Sequence, residues 1–142
     1  MNVNVKVGDR IPDWLMESVS AGRMRTMAAI LRDPNPVHWD RKAVAALGLG
    51  ERTINQGPLG VGYMVNMLHA WAGENCIRRM VMRFPNPLIL DSDRIVARGA
   101  VTRLYKAEQA AMAECEIWLE RDGESGMIEG VATVCLSDSP AG

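Results

Sequence analysis

The sequence predicts an α+β fold in which an antiparallel β-sheet wraps around one long central helix. Three observations carry this expectation. Helical periodicity is confined to the first half of the chain, alternation with a period of two fills the second half, and the helix expected after Gly57 is apolar nearly all round. Helices first and long antiparallel strands afterwards argue against a parallel sheet built from alternating units.

Composition sets the bounds. At 142 residues the chain is expected to form a single domain, 1–142, with no tandem arrangement. With 48% hydrophobic and 23% charged residues it is globular and ordered. A net charge of −1 gives no electrostatic footprint for nucleic acid. No apolar run approaches the roughly 20 residues that span a bilayer. The start, Met1 to Lys6, has neither a basic nor an apolar targeting region, so a cytoplasmic location is expected. Ten methionines against 5% aromatics point to a core, and a pocket, filled by flexible and polarisable side chains. Cys76, Cys115 and Cys135 are odd in number, widely spaced and without ligand spacing, so reduced buried thiols and no metal site are expected.

Each element has its own local signal. Met24, Met27, Ala28 and Leu31 form a helical stripe between Arg23 and Leu31. It ends near Arg32, because Pro34 biases Asp33 away from helical angles. Asp40 is placed to cap a short helix, Arg41 to Leu47, which Gly48 and Gly50 terminate. The long helix follows Gly57, with Pro58 at its first position. Leu59, Val61, Tyr63, Met64, Val65, Met67, Leu68 and Trp71 leave it little polar face, so burial is expected. Gly60 and Gly62 weaken its first turns, which predicts close approach of another backbone or a ligand at both.

Ile77 to Phe84 reads as a strand stopped by Pro85-Asn86-Pro87, and Asp91-Ser92-Asp93 as a turn. Arg94 to Tyr105 places Ile95, Ala97, Gly99 and Val101 on one face, with Leu104 rejoining it after a bulge. Ala110 to Arg121 puts Ala113, Cys115, Ile117 and Leu119 inward. Asp122-Gly123 marks a hairpin into a last strand, Met127 to Leu136, and Ser137 to Gly142 reads as a loose tail.

The chemistry concentrates in Asp33-Pro34-Asn35-Pro36-Val37-His38. A carboxylate and an imidazole stand five residues apart across two prolines that fix the path between them. Asn35-Pro36 initiates a turn, and folding back there brings Asp33 and His38 into one small volume. Histidine is the one side chain whose unperturbed pKa suits proton transfer near neutrality. A water held between the two groups is then open to acid/base chemistry.

Asp33-x-Asn35-Pro36-x-His38 resembles the signature of the R-specific enoyl-CoA hydratases and MaoC-like dehydratases, which have the hot-dog fold. Val7-Gly8-Asp9 with Ile11-Pro12 resembles the family's N-terminal segment, Asp40 also matches, and the likeness extends over most of the chain. Two departures stand out. Asn55-Gln56-Gly57-Pro58 lies where the family usually carries a His-Gly pair, and Leu31-Arg32 replaces the Ser or Thr and Gly before the catalytic Asp. Asn55 and Trp71-Ala72-Gly73 form a shorter match to the small hydratase subunits of steroid side-chain breakdown.

The resemblance implies reversible syn addition of water to a trans-2-enoyl-CoA, giving the (R)-3-hydroxyacyl-CoA of fatty-acid or steroid side-chain metabolism. Asp33 and His38 are the catalytic residues, His38 chiefly as base, with the division of roles open because the pair titrates together. Asn35 is expected to hold the turn and orient the pair at the substrate. The amide of Gly57, with Leu59 as the alternative, polarises the thioester carbonyl, since a helix N-terminus favours developing negative charge. Pro58 has no N–H to offer. No cofactor is required, because the thioester and the oxyanion donor acidify the α-proton. Arg78, Arg79, Arg83 and Lys42 face the CoA phosphates in one reading and plain solvent in the more common one.

A lone hot-dog unit exposes an edge strand and one flank of its helix, so a homodimer or higher assembly is expected, the partner being another copy or a related hydratase subunit. Two rivals remain. An acyl-CoA thioesterase of the same fold needs a carboxylate near the helix start, whereas Glu74 lies at the far end. A non-catalytic or partner-dependent subunit fits the altered residues around the pair.

Overall fold

The computed structural model describes residues 4–86 and 88–136. Strand β1, Arg10–Met16, leads into helix α1, Ala21–Leu31, then a 3₁₀ turn, Pro36–His38, and the short helix α2, Arg41–Ala46. The long helix α3, Gly57–Ala72, precedes strands β2, Ile77–Arg83, β3, Ile95–Ala107, β4, Ala110–Arg121, and β5, Glu129–Cys135. Among the described residues the strands form one antiparallel sheet in the order β1-β3-β4-β5-β2.

Local chemistry sets most boundaries. Ser20 accepts from the Arg23 amide at 3.1 Å and starts α1, and Arg32 ends it in the left-handed region at φ 51°. Arg32 stands where the resemblance expects glycine, and an L side chain in that conformation costs about 1–2 kcal/mol. Asp40 caps α2 through the Lys42 amide at 2.9 Å. Helix α3 begins one residue earlier than expected, so Pro58 takes its second position rather than its first. The β3 bulge falls between Val101 and Arg103, and Asp122 and Gly123 turn with positive φ at 48° and 82°, the geometry that matches strand twist in a tight hairpin.

Four expectations need correction. Strand β1 was invisible as a strand because Pro12 lies inside it. It is tolerated because β1 is an edge and its register slips between Ile11 and Trp14. Leu31 completes the predicted stripe yet is exposed, while Met24 and Ala28 are buried, because the chain peels away at Arg32. Helix α3 is buried on one face only, through Gly60, Tyr63, Met64, Met67, Leu68 and Ala72, while Asn66 and Ala70 face outward. The sheet covers one side of the helix, and among the described residues Pro58, Asn66 and Ala70 on the other side are left exposed. At Gly60 an added Cβ would lie 2.5 Å from Ile128 Cδ1, so the close neighbour is a side chain rather than another backbone, and at Gly62 none of the described residues comes near. The strand before Phe84 stops at Arg83, and the expected tail, Ser137 to Gly142, lies outside the described residues.

The core joins Met64, Met67 and Leu68 of α3 to Ile95, Ile117 and Leu119 of the sheet. Trp14 of β1 stacks on Tyr63 with ring centroids 5.7 Å apart, locking the edge strand onto the helix. All three cysteines are buried thiols outside any disulfide, and burial pushes the Cys115 thiol up to about 12, so it stays neutral and unreactive. None of the described helices is long and apolar enough to cross a membrane.

Candidate active site

The double-proline segment folds back as its sequence predicts. The two oxygens of the Asp33 carboxylate have separate partners: Oδ1 accepts from the Asn35 amide at 2.9 Å, and Oδ2 lies 3.3 Å from Nε2 of His38. Asn35 in turn accepts from the Val37 amide at 3.3 Å, so its side chain caps the 3₁₀ turn that carries His38. The His38 side chain is 12% exposed and that of Asp33 30%, which keeps both within reach of solvent and of a bound molecule.

The other ring nitrogen decides the chemistry. His38 Nδ1 lies 2.6 Å from the carbonyl oxygen of Ile54. A carbonyl only accepts, so Nδ1 carries a proton and Nε2 is left to exchange one. Nε2 faces an acceptor oxygen, so a proton or a water hydrogen must sit between them to avoid two opposed lone pairs.

The strap that supplies this carbonyl is held from both sides. The Ile54 amide donates to Val37 O at 2.9 Å, while the Asn55 amide donates to Ile89 O at 2.7 Å and the Asp91 amide to Thr53 O at 2.9 Å. The Asp91-Ser92-Asp93 turn was read from sequence as a plain turn, yet both carboxylates are buried. Asp91 Oδ2 accepts from the amide and the hydroxyl of Thr53, each at 2.6 Å, and Oδ1 pairs with Arg41 at 3.2 Å. Asp93 holds Arg52 at 3.0 Å and Arg121 at 3.2 Å. No sequence motif announces this network; the only signal was two aspartates flanking one serine.

Burial works to raise the Asp91 pKa, but the hydrogen bonds from Thr53 and the charge of Arg41 outweigh it and hold the group below its ordinary 3.8. A depressed folded-state pKa contributes stability above the unfolded value that is lost as pH falls through the folded one. The melting temperature should therefore drop as pH is lowered below 3.8, and Asp91→Asn should flatten that part of the profile when both proteins are melted across the acid range.

Further along, Tyr63 donates to Asn55 Oδ1 at 3.1 Å and Asn55 Nδ2 donates to Gln56 O at 2.9 Å, pinning the residue before α3. Burial pushes the Tyr63 hydroxyl up to about 12, so it remains a donor. Gln56 Nε2 donates to Met24 O at 2.6 Å, tying the start of α3 to α1. Gly57 and Leu59 lie in the first turn of α3, whose amides have no intrahelical acceptor. The Phe84 ring lies over Gly57, where an added Cβ would be 3.1 Å from Phe84 Cε1. Ile54, which holds the His38 ring, precedes Gly57 by three residues, a reach of no more than about 11 Å. Arg83 pairs with Glu129 at 2.6 Å and Glu74 lies beyond the other end of α3. Clefts of about 450 and 600 Å³ lie at the C-terminal end of α3 and on the outer face of β2, β4 and β5, and neither is lined by Asp33 or His38.

With this geometry in place, comparison with known proteins gives one decisive match: the sequence model of the MaoC like domain aligns with residues 13–116. The chain belongs to the MaoC-like dehydratase family. Compared by sequence with curated proteins, it matches none. Among solved structures, an (R)-hydratase from A. caviae involved in PHA biosynthesis superposes with a TM-score of 0.82 at 23% identity, over 96% of this chain and all 100% of that one. The R-hydratase PhaJ1 from Pseudomonas aeruginosa gives 0.80 at 18% identity, covering 93% and 82%. The ChsH1-ChsH2 complex from Mycobacterium tuberculosis gives 0.77 at 16%, covering 93% and 98%. At these identities the structural likeness establishes the hot-dog fold, and family membership makes this MaoC-like protein a hydratase or dehydratase in broad class.

Proposed function

We propose that this MaoC-like protein is an R-specific enoyl-CoA hydratase acting reversibly on trans-2-enoyl-CoA thioesters. The observation that carries the reading is the 3.3 Å approach of His38 Nε2 to Asp33 Oδ2 while Nδ1 is committed to Ile54 O. A water on this pair loses a proton to one member as its oxygen bonds to the substrate's C3 and the double-bond electrons pass to the thioester, and that same proton, held by the pair, is returned to the α-carbon as the enolate collapses. Both transfers come from one side of the double bond, which gives syn addition. Charge passes onto the thioester oxygen, and the Gly57 amide, or that of Leu59, at the α3 N-terminus stabilises it more in the transition state than in the ground state. Asn35 supports this by fixing the turn.

A second reading has a specific observation in its favour. The face of α3 that carries Asn66 and Ala70 is exposed, which suits an acyl pocket completed there by a partner, either a second copy or a related subunit. The hetero-complex among the structural neighbours is consistent with that arrangement. A thioesterase is disfavoured, because no carboxylate follows Gly57 in the first turn of α3.

Incubation with crotonyl-CoA separates the three. Loss of enoyl absorbance without free CoA supports the hydratase, release of CoA supports the thioesterase, and activity only after a partner is added supports the dependent subunit.

A further inference from the structure

We propose that Asp91 is a positioning residue for the catalytic imidazole, acting through Thr53 and the Ile54 carbonyl; this rests on the hydratase reading of His38. Asp91 touches neither Asp33 nor His38. It grips the chain on both sides of the ring instead. Through Oδ2 it holds the amide and hydroxyl of Thr53, the residue before Ile54, and through Oδ1 it holds Arg41, three residues after His38.

The geometry explains why a buried carboxylate is used here. The strap Thr53–Asn55 is too short to form a strand of its own; its backbone bonds to Val37 on one side and to Ile89 and Asp91 on the other, and its flanks are held by Arg52 on Asp93 and by Asn55 on Tyr63. Within it, Asp91 is the group that grips Thr53, the residue next to the Ile54 carbonyl, through both amide and hydroxyl. Asp91 is 2% exposed and Thr53 2%, so their bonds meet no competing water and are stronger than the same bonds at the surface. The Arg41 side chain is 63% exposed, and screening makes that pair the weaker of the two grips. If Thr53 shifts, the Ile54 carbonyl turns from Nδ1, and a neutral His38 then takes either tautomer. With the proton on Nε2 the ring has no lone pair to offer the water.

The test reads the tautomer directly. The chain has two histidines, so His69→Gln assigns the ¹⁵N signals of His38, recorded where imidazole is neutral. Wild type should show Nδ1–H alone. Asp91→Asn and Thr53→Val should each give a mixture of tautomers. Their kcat on crotonyl-CoA should fall about tenfold to a hundredfold, the scale expected of a small misplacement, with KM within about twofold. Thr53→Ser should restore both readouts. Val134→Ala, a truncation in the core of β5 with a comparable loss of melting temperature, should change neither.

Folded Asp91 and Thr53 variants that keep pure Nδ1–H, or that lose no more kcat than Val134→Ala, would overturn the proposal. If the Asp91 variant fails to fold, Thr53→Val carries the test alone. If the wild type hydrates no enoyl-CoA, the hydratase reading falls, and the tautomer measurement still decides whether Asp91 positions the ring.

Discussion

His38→Ala and Asp33→Ala are each expected to lower enoyl-CoA turnover by about 10²–10⁴-fold, the range that a positioned acid/base group contributes. The fold should survive both. His38→Ala leaves the Ile54 carbonyl without its partner at a cost of about 1–3 kcal/mol, and Asp33→Ala removes an accepted hydrogen bond from a half-exposed turn, which costs less. Asp33→Asn is the sharper probe, because it keeps the oxygen that accepts from the Asn35 amide while removing the charge opposite Nε2. Residues that work as one unit lose most of their effect with the first deletion, so Asp33→Ala/His38→Ala should be little worse than either single change. Steady-state kinetics with a thermal melt on each variant checks this. A double variant that still turns over substrate, or two single losses that simply multiply, would remove the pair from the mechanism.

Gly130→Ala should be the most damaging small substitution for stability. Gly130 pairs with Met82 and Ile117 in the middle of the sheet, and a Cβ there would fall on the carbonyl oxygen of Val81 as well as on the Met82 thioether. A flexible thioether can move aside. A ladder carbonyl cannot, so β2 must part from β5 or the sheet must bend. Overpacking of this kind costs about 3 kcal/mol or more, which for a chain of this size is a fall of roughly 6–12 °C in melting temperature. Gly60→Ala meets the end of the Ile128 side chain rather than a backbone carbonyl, and should cost less. A Gly130→Ala protein that melts with wild type would show that β2 and β5 accommodate a side chain at that position.

How much of this was legible beforehand follows from the distance over which each determinant acts. The stop at Arg32, the Asp40 cap, the Asp122-Gly123 turn and the inward residues of β4 each depend on neighbours a few positions away, and each was read from the sequence. The convergence of Asp33 and His38 belongs with them, because two prolines and an Asx cap leave the intervening chain few paths. Strand β1 escaped because its pairing partner β3 lies 79 to 90 positions away and its own proline argued against it. What lies beside Gly60 and Gly62 was equally out of reach, because a helical glycine does not name its neighbour: the fold brings the Ile128 side chain to the first and none of the described residues to the second. The buried Asp91–Thr53 clamp joins residues 38 apart, with no motif to mark either end.

The sequence by itself determined the class of fold, the approach of Asp33 to His38 and the place where the long helix begins. It did so because proline geometry, capping and alternation are enforced within a few residues. Only the tertiary structure decided which nitrogen of His38 meets the Ile54 carbonyl, which flank of α3 is exposed and which buried carboxylate holds Thr53. Those outcomes depend on a backbone carbonyl sixteen positions beyond the histidine, and every residue carries a carbonyl, so nothing in the order of side chains distinguishes the one that matters.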